Sequence, residues 1–209
     1  MKEHLNYEIF LKVANAISHS KEPEEVALMT VEGIKTALDT KGCALFLLDK
    51  KNDELSVAAS YGLSDEYLNK GPLSSLQSIA QTLQEGPVAI QDAANDSRLQ
   101  YPEAALKEGI ASILSVPIQV SQTTMGALRV YTSEPRNFTL NDINFVYALA
   151  QISGMSIRLA RYSKGLLASI DILRDMREAE TRRKTRMTPF EGVPVSFSPE
   201  ESKMQYETS

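Results

Sequence analysis

The feature that most constrains this chain is a run of apolar residues whose spacing keeps the helical period without a slip. Phe145, Ala148, Ile152, Met155, Leu159, Tyr162, Leu166, Ser169, Leu173 and Met176 follow alternating steps of three and four, the a/d pattern of a coiled coil. Thr139 or Asn141 caps the start of this helix, and its helical character continues to about Glu180. At about 1.5 Å per residue, a helix of roughly 40 residues is about 60 Å long, more than a small domain covers. The stripe therefore requires a partner. A second copy of the same helix is expected, making a homodimer with Ile152, Met155, Leu159, Tyr162, Leu166 and Leu173 in its seam; the alternative is a helix folded back on its own domain.

Upstream, helices and strands follow one another without regular alternation. Leu5, Ile9, Val13 and Ile17 place a helix over about residues 3 to 19, and Pro23, Glu24 and Glu25 suit the first turn of a second one reaching about Thr40. Cys43 to Leu48 and Leu55 to Tyr61 read as a hairpin around the polar turn Lys50-Lys51-Asn52-Asp53. A helix is expected over 73 to 85, then a strand at Val88-Ala89-Ile90 and a brief helix from Pro102 to Leu106. Two more strands follow, Ser112 to Val120 and Met125 to Thr132, joined by Ser121-Gln122-Thr123-Thr124. The alternation of Ala127, Arg129 and Tyr131 with Leu128 and Val130 makes one face of the last strand the wetter. The order αα-ββ-α-β-α-ββ-α points to an α+β fold with an antiparallel sheet.

The chain has 209 residues, 43 % of them hydrophobic, so a core is within reach. A net charge of -5 opposes broad nucleic-acid binding. Cys43 stands alone, which excludes an internal disulfide and a thiolate metal cluster; it reads as a small buried hydrophobe. His4 and His19 both lie near the N-terminus, and nothing supplies the three or four ligands of a metal site. No secretory signal and no membrane-spanning apolar run is legible, so the expected address is the cytoplasm, with no membrane partner. From Thr181 the composition turns to Arg, Lys, Pro, Ser and Glu, and 181–209 is expected to be a disordered tail. Its Arg182-Arg183-Lys184-Thr185-Arg186 run reads as a solvated helix end, and Phe190 and Phe197 are possible anchors for a partner.

Several stretches resemble the GAF domain family. Gly109-Ile110-Ala111-Ser112-Ile113-Leu114-Ser115-Val116-Pro117-Ile118 is similar to a strand those domains share, and Met125-Gly126-Ala127-Leu128-Arg129-Val130-Tyr131 to the next. Pro135-Arg136-Asn137-Phe138-Thr139-Leu140-Asn141-Asp142 resembles the family's link into the last helix. Val88 to Asp92 and Asp96-Ser97-Arg98 resemble its short strand and variable loop. The resemblance covers about residues 5 to 162. It implies a PAS-related antiparallel sheet with helices on one side and a small-ligand pocket on the other, and a sensory rather than catalytic role. The expected layout is a sensory domain over 1–162, a long C-terminal helix over 139–180 and the tail. Parallel pairing of the long helix would set two such domains side by side, as in related sensors.

The family's best-known chemistries are not carried by these residues. The Asn-Lys-Phe-Asp-Glu set of cyclic-nucleotide binders has no counterpart, since Asn52-Asp53-Glu54 is only a turn. One cysteine cannot serve the sulfoxide reductases of this fold, and neither histidine lies near Cys43 or in the pocket region. No cofactor is expected. No catalytic motif is present either, neither G-x-S-x-G, nor a P-loop, nor H-E-x-x-H. For ligand contacts the resemblance points to Tyr101, Ser112, Ser115 and Tyr131, while Tyr131 equally suits a half-buried sheet position. Asp92 and Arg98, with Asp96, either line the pocket entrance for an anionic ligand or stabilise their own loop. Two functions are open. One is a sensor that binds a small molecule and signals through a dimeric helix to a downstream protein. The other is a ligand-free scaffold for dimerisation and protein interaction.

Overall fold

The computed structural model describes residues 2–20, 22–49, 51, 54–71, 73–74, 82 and 86–186. The chain divides into two compact units, Met1–Ser163 and Lys164–Ser209. The first unit opens with two helices, α1 (Lys2–His19) and α2 (Pro23–Leu38). Pro23 needs no amide partner in the first turn of α2, and Asp39 closes that helix in the left-handed region at φ 48°, its N–H reaching Lys35 O. Next come the hairpin β1 (Gly42–Asp49) and β2 (Glu54–Tyr61), a one-turn helix α3 (Asp65–Leu68), and the short strands β3 (Leu73–Ser74) and β4 (Val88–Ile90). Helix α4 (Pro102–Glu108), strands β5 (Ser112–Val120) and β6 (Thr123–Thr132), and helix α5 (Leu140–Arg186) complete the described order.

The strands form a six-stranded antiparallel sheet in the order β3-β2-β1-β6-β5-β4. The β5–β6 hairpin turns on two residues, Ser121 (φ 51°) and Gln122 (φ 62°), with Val120 opposite Thr123. This tight turn matches the right-handed strand twist, so β6 begins at Thr123, two residues earlier than composition suggests.

Each central strand divides its side chains by parity between two cores. Cys43, Leu45, Leu47, Leu114, Val116, Ile118, Leu128 and Val130 point to one face, where they pack on Val26, Val31 and Ile34 of α2 and on Ile17 of α1. Val146, Leu149, Ala150 and Ile157 of α5 join the same core. The opposite face carries Ala44, Phe46, Ile113, Ala127 and Tyr131. It packs on Leu55, Tyr67, Leu73, Ile90, Leu99, Ala105 and Ile110, drawn from strands, short helices and loops. Among the described residues, the second face is therefore roofed by short elements.

Within the first unit, α5 is held to the sheet by specific contacts. Gln151 spans the strand edge, its side-chain oxygen accepting from Gln119 N at 3.1 Å and its amide nitrogen donating to Pro117 O at 2.8 Å. The buried hydroxyls of Ser153 and Thr30 lie 2.6 Å apart. Gly154 lets the helix approach closely, for a Cβ there would stand 2.5 Å from Ile118 Cγ2. The face that packs inward (Val146, Leu149, Ser153, Ile157, Ala160) is not the heptad stripe. Met155, Leu159 and Tyr162 remain 54 to 71 % exposed.

Two expectations need correction. Leu73 and Ser74 are not the start of a helix: they pair with Leu55 and Glu54 as an edge strand, because Leu73 is buried in the second core. Residues 75–81 and 83–85, the remainder of that expected helix apart from Thr82, lie outside the described residues. Helix α5 runs to Arg186, past the Glu180 limit, as the Arg and Lys of that stretch are good helix formers. The expected tail beyond it lies outside the described residues. In the second unit Leu166, Leu167, Ile170, Ile172, Leu173 and Met176 are all exposed on the helix. Among the described residues, no helix is long and apolar enough to cross a membrane.

Candidate functional site

Polar chemistry concentrates on the second face of the sheet. Arg129 sits on β6, mid-sheet, directly opposite Ser115 of β5 on one side and Ala44 of β1 on the other. Directly opposed residues bring their Cβ atoms to about 4.5–5.5 Å. Tyr131, two residues along, projects on the same side. All three are buried: Arg129 is 3 %, Ser115 5 % and Tyr131 0 % exposed. The Arg129 guanidinium carbon lies 5.8 Å from the centre of the Phe46 ring. Ser115 Oγ has no hydrogen-bond partner among the described residues. Tyr131 Oη stands near the Tyr67 hydroxyl and Arg129 but forms no hydrogen bond of proper length and angle. A buried hydroxyl left unsatisfied costs about 1–3 kcal/mol, so the fold tolerates a polar spot that packing alone would remove.

Tyr67 of α3 stands over this spot. Its ring meets that of Tyr131 edge to face at 5.7 Å, and Lys70 Nζ lies 3.6 Å from its centroid. Burial pushes both tyrosine hydroxyls up from their ordinary range. Burial, then the charge of Arg129, lowers the Lys70 ammonium to about 8, against a smaller opposing pull from Glu108. Helix α3 is placed by Ser64, which accepts from Tyr67 N at 3.1 Å and donates from its hydroxyl and its amide to Glu108 of α4. Burial raises the Glu108 carboxyl, but these hydrogen bonds and the Lys41 ammonium 3.7 Å away together hold it below its ordinary value. On the outer side, α3 and α4 bound a cleft of about 550 Å³ lined by Tyr67, Lys70, Tyr101 and Glu108 among others. That volume lies within the usual range for small-molecule sites.

A sequence model of the GAF domain family matches residues 20–158, well over half the chain. The chain belongs to the GAF domain family. The fold agrees with solved GAF domains. That of an Acinetobacter phosphoenolpyruvate-protein phosphotransferase is 22 % identical with a TM-score of 0.65, over 75 % of this chain and 94 % of that one. The corresponding domain from Coxiella burnetii is 21 % identical at 0.68, over 77 % and 96 %. The free methionine-R-sulfoxide reductase of Neisseria meningitidis, solved with its substrate, is 17 % identical at 0.67, over 78 % and 94 %. No curated protein sequence matches the chain.

This GAF domain distributes the sequence-nominated residues over three places. Ser115 and Tyr131 share the buried spot on the sheet. Tyr101 lines the outer cleft. Ser112 is enclosed at the start of β5, donating to Gln91 O at 2.7 Å and accepting from Arg136 N at 2.9 Å, so its hydroxyl is committed to joining loops. Asp92 and Arg98 lie on exposed surface. Asp92 accepts from Asn95 and from Ala94 N, and these bonds, the Asn95 one foremost, lower its carboxyl. Arg98 pairs with Asp96 through two nitrogens within its own loop, which is the loop-stabilising alternative.

Sequence reasoning missed Arg129, Lys70, Tyr67 and Phe46. Arg129 had a signal, a single charge inside the apolar run Ala127 to Tyr131, but it passed for a wet strand face. The short helix that delivers Tyr67 and Lys70 has only a Ser64 cap to announce it. Cys43 is buried in the helix-side core, and burial pushes its thiol well up, which makes it unreactive.

Proposed function

We propose that this protein is a non-catalytic GAF sensor. It holds a small ligand on the sheet face roofed by α3 and α4, and passes the bound state through a dimeric α5 to a downstream partner protein. The observation that carries the reading is the buried group of Arg129, Ser115 and Tyr131 on the face opposite the long helices. Ser115 and Tyr131 carry buried hydroxyls without a hydrogen-bond partner among the described residues, and a bound ligand would satisfy both. Two further observations support it. Strand β5 bears Ser115 on the ligand side, while its Pro117 O and Gln119 N grip Gln151 of α5. The heptad residues Met155, Leu159, Tyr162, Leu166 and Leu173 are left exposed by packing within the chain, the disposition a seam between two copies needs.

The test is amide hydrogen exchange on protein purified from its source, before and after removal of small molecules by unfolding, dialysis and refolding. β5, β6 and α3 are expected to exchange faster once stripped and to recover protection when the concentrated dialysate is returned. Identical exchange in all three samples contradicts the sensor and favours a ligand-free scaffold.

A further inference from the structure

We propose that the ligand is a small monocarboxylate with an apolar body, its carboxylate taken by Arg129, Ser115 Oγ and Tyr131 Oη. This rests on the reading of that sheet face as the ligand site. Ser115 and Arg129 are cross-strand partners, and Tyr131 is the next residue on the same side of β6, so three donor groups share one face of two adjacent strands. A guanidinium and two hydroxyls match an acceptor with two oxygens and no donors. A guanidinium meets a carboxylate through parallel N–H bonds, stronger and more directional than a neutral contact. The hydroxyls of Ser115 and Tyr131, without partners among the described residues, supply the remaining donors.

The surroundings set the rest of the class. Ala44, Phe46, Ala127, Ile113 and Tyr67 are buried in the same core, and apolar surroundings of this kind favour an apolar or aromatic body over a sugar or nucleotide. The site also favours one negative charge over two, because burial makes each further charge costly unless it is separately paired. Lys70, over the Tyr67 ring and within reach of the Arg129 field, adds positive potential at the cleft and draws anions toward it.

The test is isothermal titration calorimetry of the full chain with benzoate and 3-methylbutanoate, against benzamide, 3-methylbutanamide and inorganic phosphate, all at millimolar concentration. The carboxylates are expected to bind roughly tenfold or more tightly than their amides, from the strength of hydrogen bonds to a charged acceptor. Ser115→Ala and Tyr131→Phe should each weaken carboxylate binding about tenfold while leaving the melting temperature of the unliganded protein unchanged or higher. A merely structural hydroxyl would lower it. Arg129→Gln should abolish binding, and the two hydroxyl variants keep the test informative if that one misfolds. Amides binding as well as acids, phosphate binding in their place, or no probe binding each overturns the carboxylate class. If no probe binds and the dialysate still restores exchange protection, only the class is wrong; if exchange is also unchanged, the sensor reading falls with it.

Discussion

Adding one methyl group to α5 separates a helix seated on the sheet from one that is merely near it. Gly154→Ala brings two opposed effects. Alanine is the better helix former by about 0.8–1 kcal/mol. Its Cβ, however, would stand 2.5 Å from Ile118 Cγ2 and 3.2 Å from Val120 Cγ2, about 1 Å short of a normal carbon contact at the first. Overpacking of this kind costs about 1–3 kcal/mol, so the net change is a destabilisation of roughly 0–2 kcal/mol. Gly165, on the same helix, has nothing within 4 Å of its would-be Cβ, and Gly165→Ala should show the propensity gain of up to about 1 kcal/mol. Urea denaturation with an unchanged slope measures both. In an Ile118→Leu background, which removes the Cγ2 methyl, the Gly154→Ala cost should shrink toward zero. If Gly154→Ala stabilises the protein as much as Gly165→Ala does, the close seating of the helix is wrong.

Leu159→Glu combined with Leu166→Glu should turn a dimer into a monomer in sedimentation equilibrium at tens of micromolar, since each large apolar side chain kept from burial forfeits about 1.5–3 kcal/mol; a wild type already monomeric there, or a double variant still dimeric, defeats the seam. Lys70 has a folded pKa lowered to about 8 from an ordinary 10.5. Its destabilising contribution is therefore full below pH 8 and fades as pH rises to 10.5, where the unfolded state also loses the proton. The melting temperature of Lys70→Met relative to wild type should accordingly be higher at pH 7 than at pH 10, and a difference independent of pH refutes the shift. Cys43 should resist thiol reagents at pH 8 until the protein is unfolded in urea; fast labelling of the native state would contradict its burial.

The antiparallel sheet, its helical cover and the long terminal helix were legible because period two and the helical period leave clear patterns in residues such as Leu128 and Val130 or Ile152 and Leu159. Two of the short elements were not. Leu73-Ser74 and Asp65–Leu68 are too brief to show a period, and their conformation is set by tertiary contacts, Leu73 by the second core and α3 by the Ser64–Glu108 tie. Only part of the candidate site was legible, for a related reason. Ser115 and Tyr131 were placed by resemblance to a strand pattern, but parity alone assigns Ser112 to the helix-side set of β5. Which charge goes inward was not legible: Arg98 looks the better ligand residue in isolation, yet it closes on Asp96 two residues away, while Arg129 is carried into the interior by the sheet register.

Native mass spectrometry of the protein purified from its source tests the central claim most directly, because one spectrum reports both oligomeric state and bound small molecules. A dimer carrying one small non-covalent ligand per chain is expected, with a ligand-free dimer appearing only after stripping. A bare monomer at micromolar concentration, with no ligand retained under gentle conditions, would contradict it.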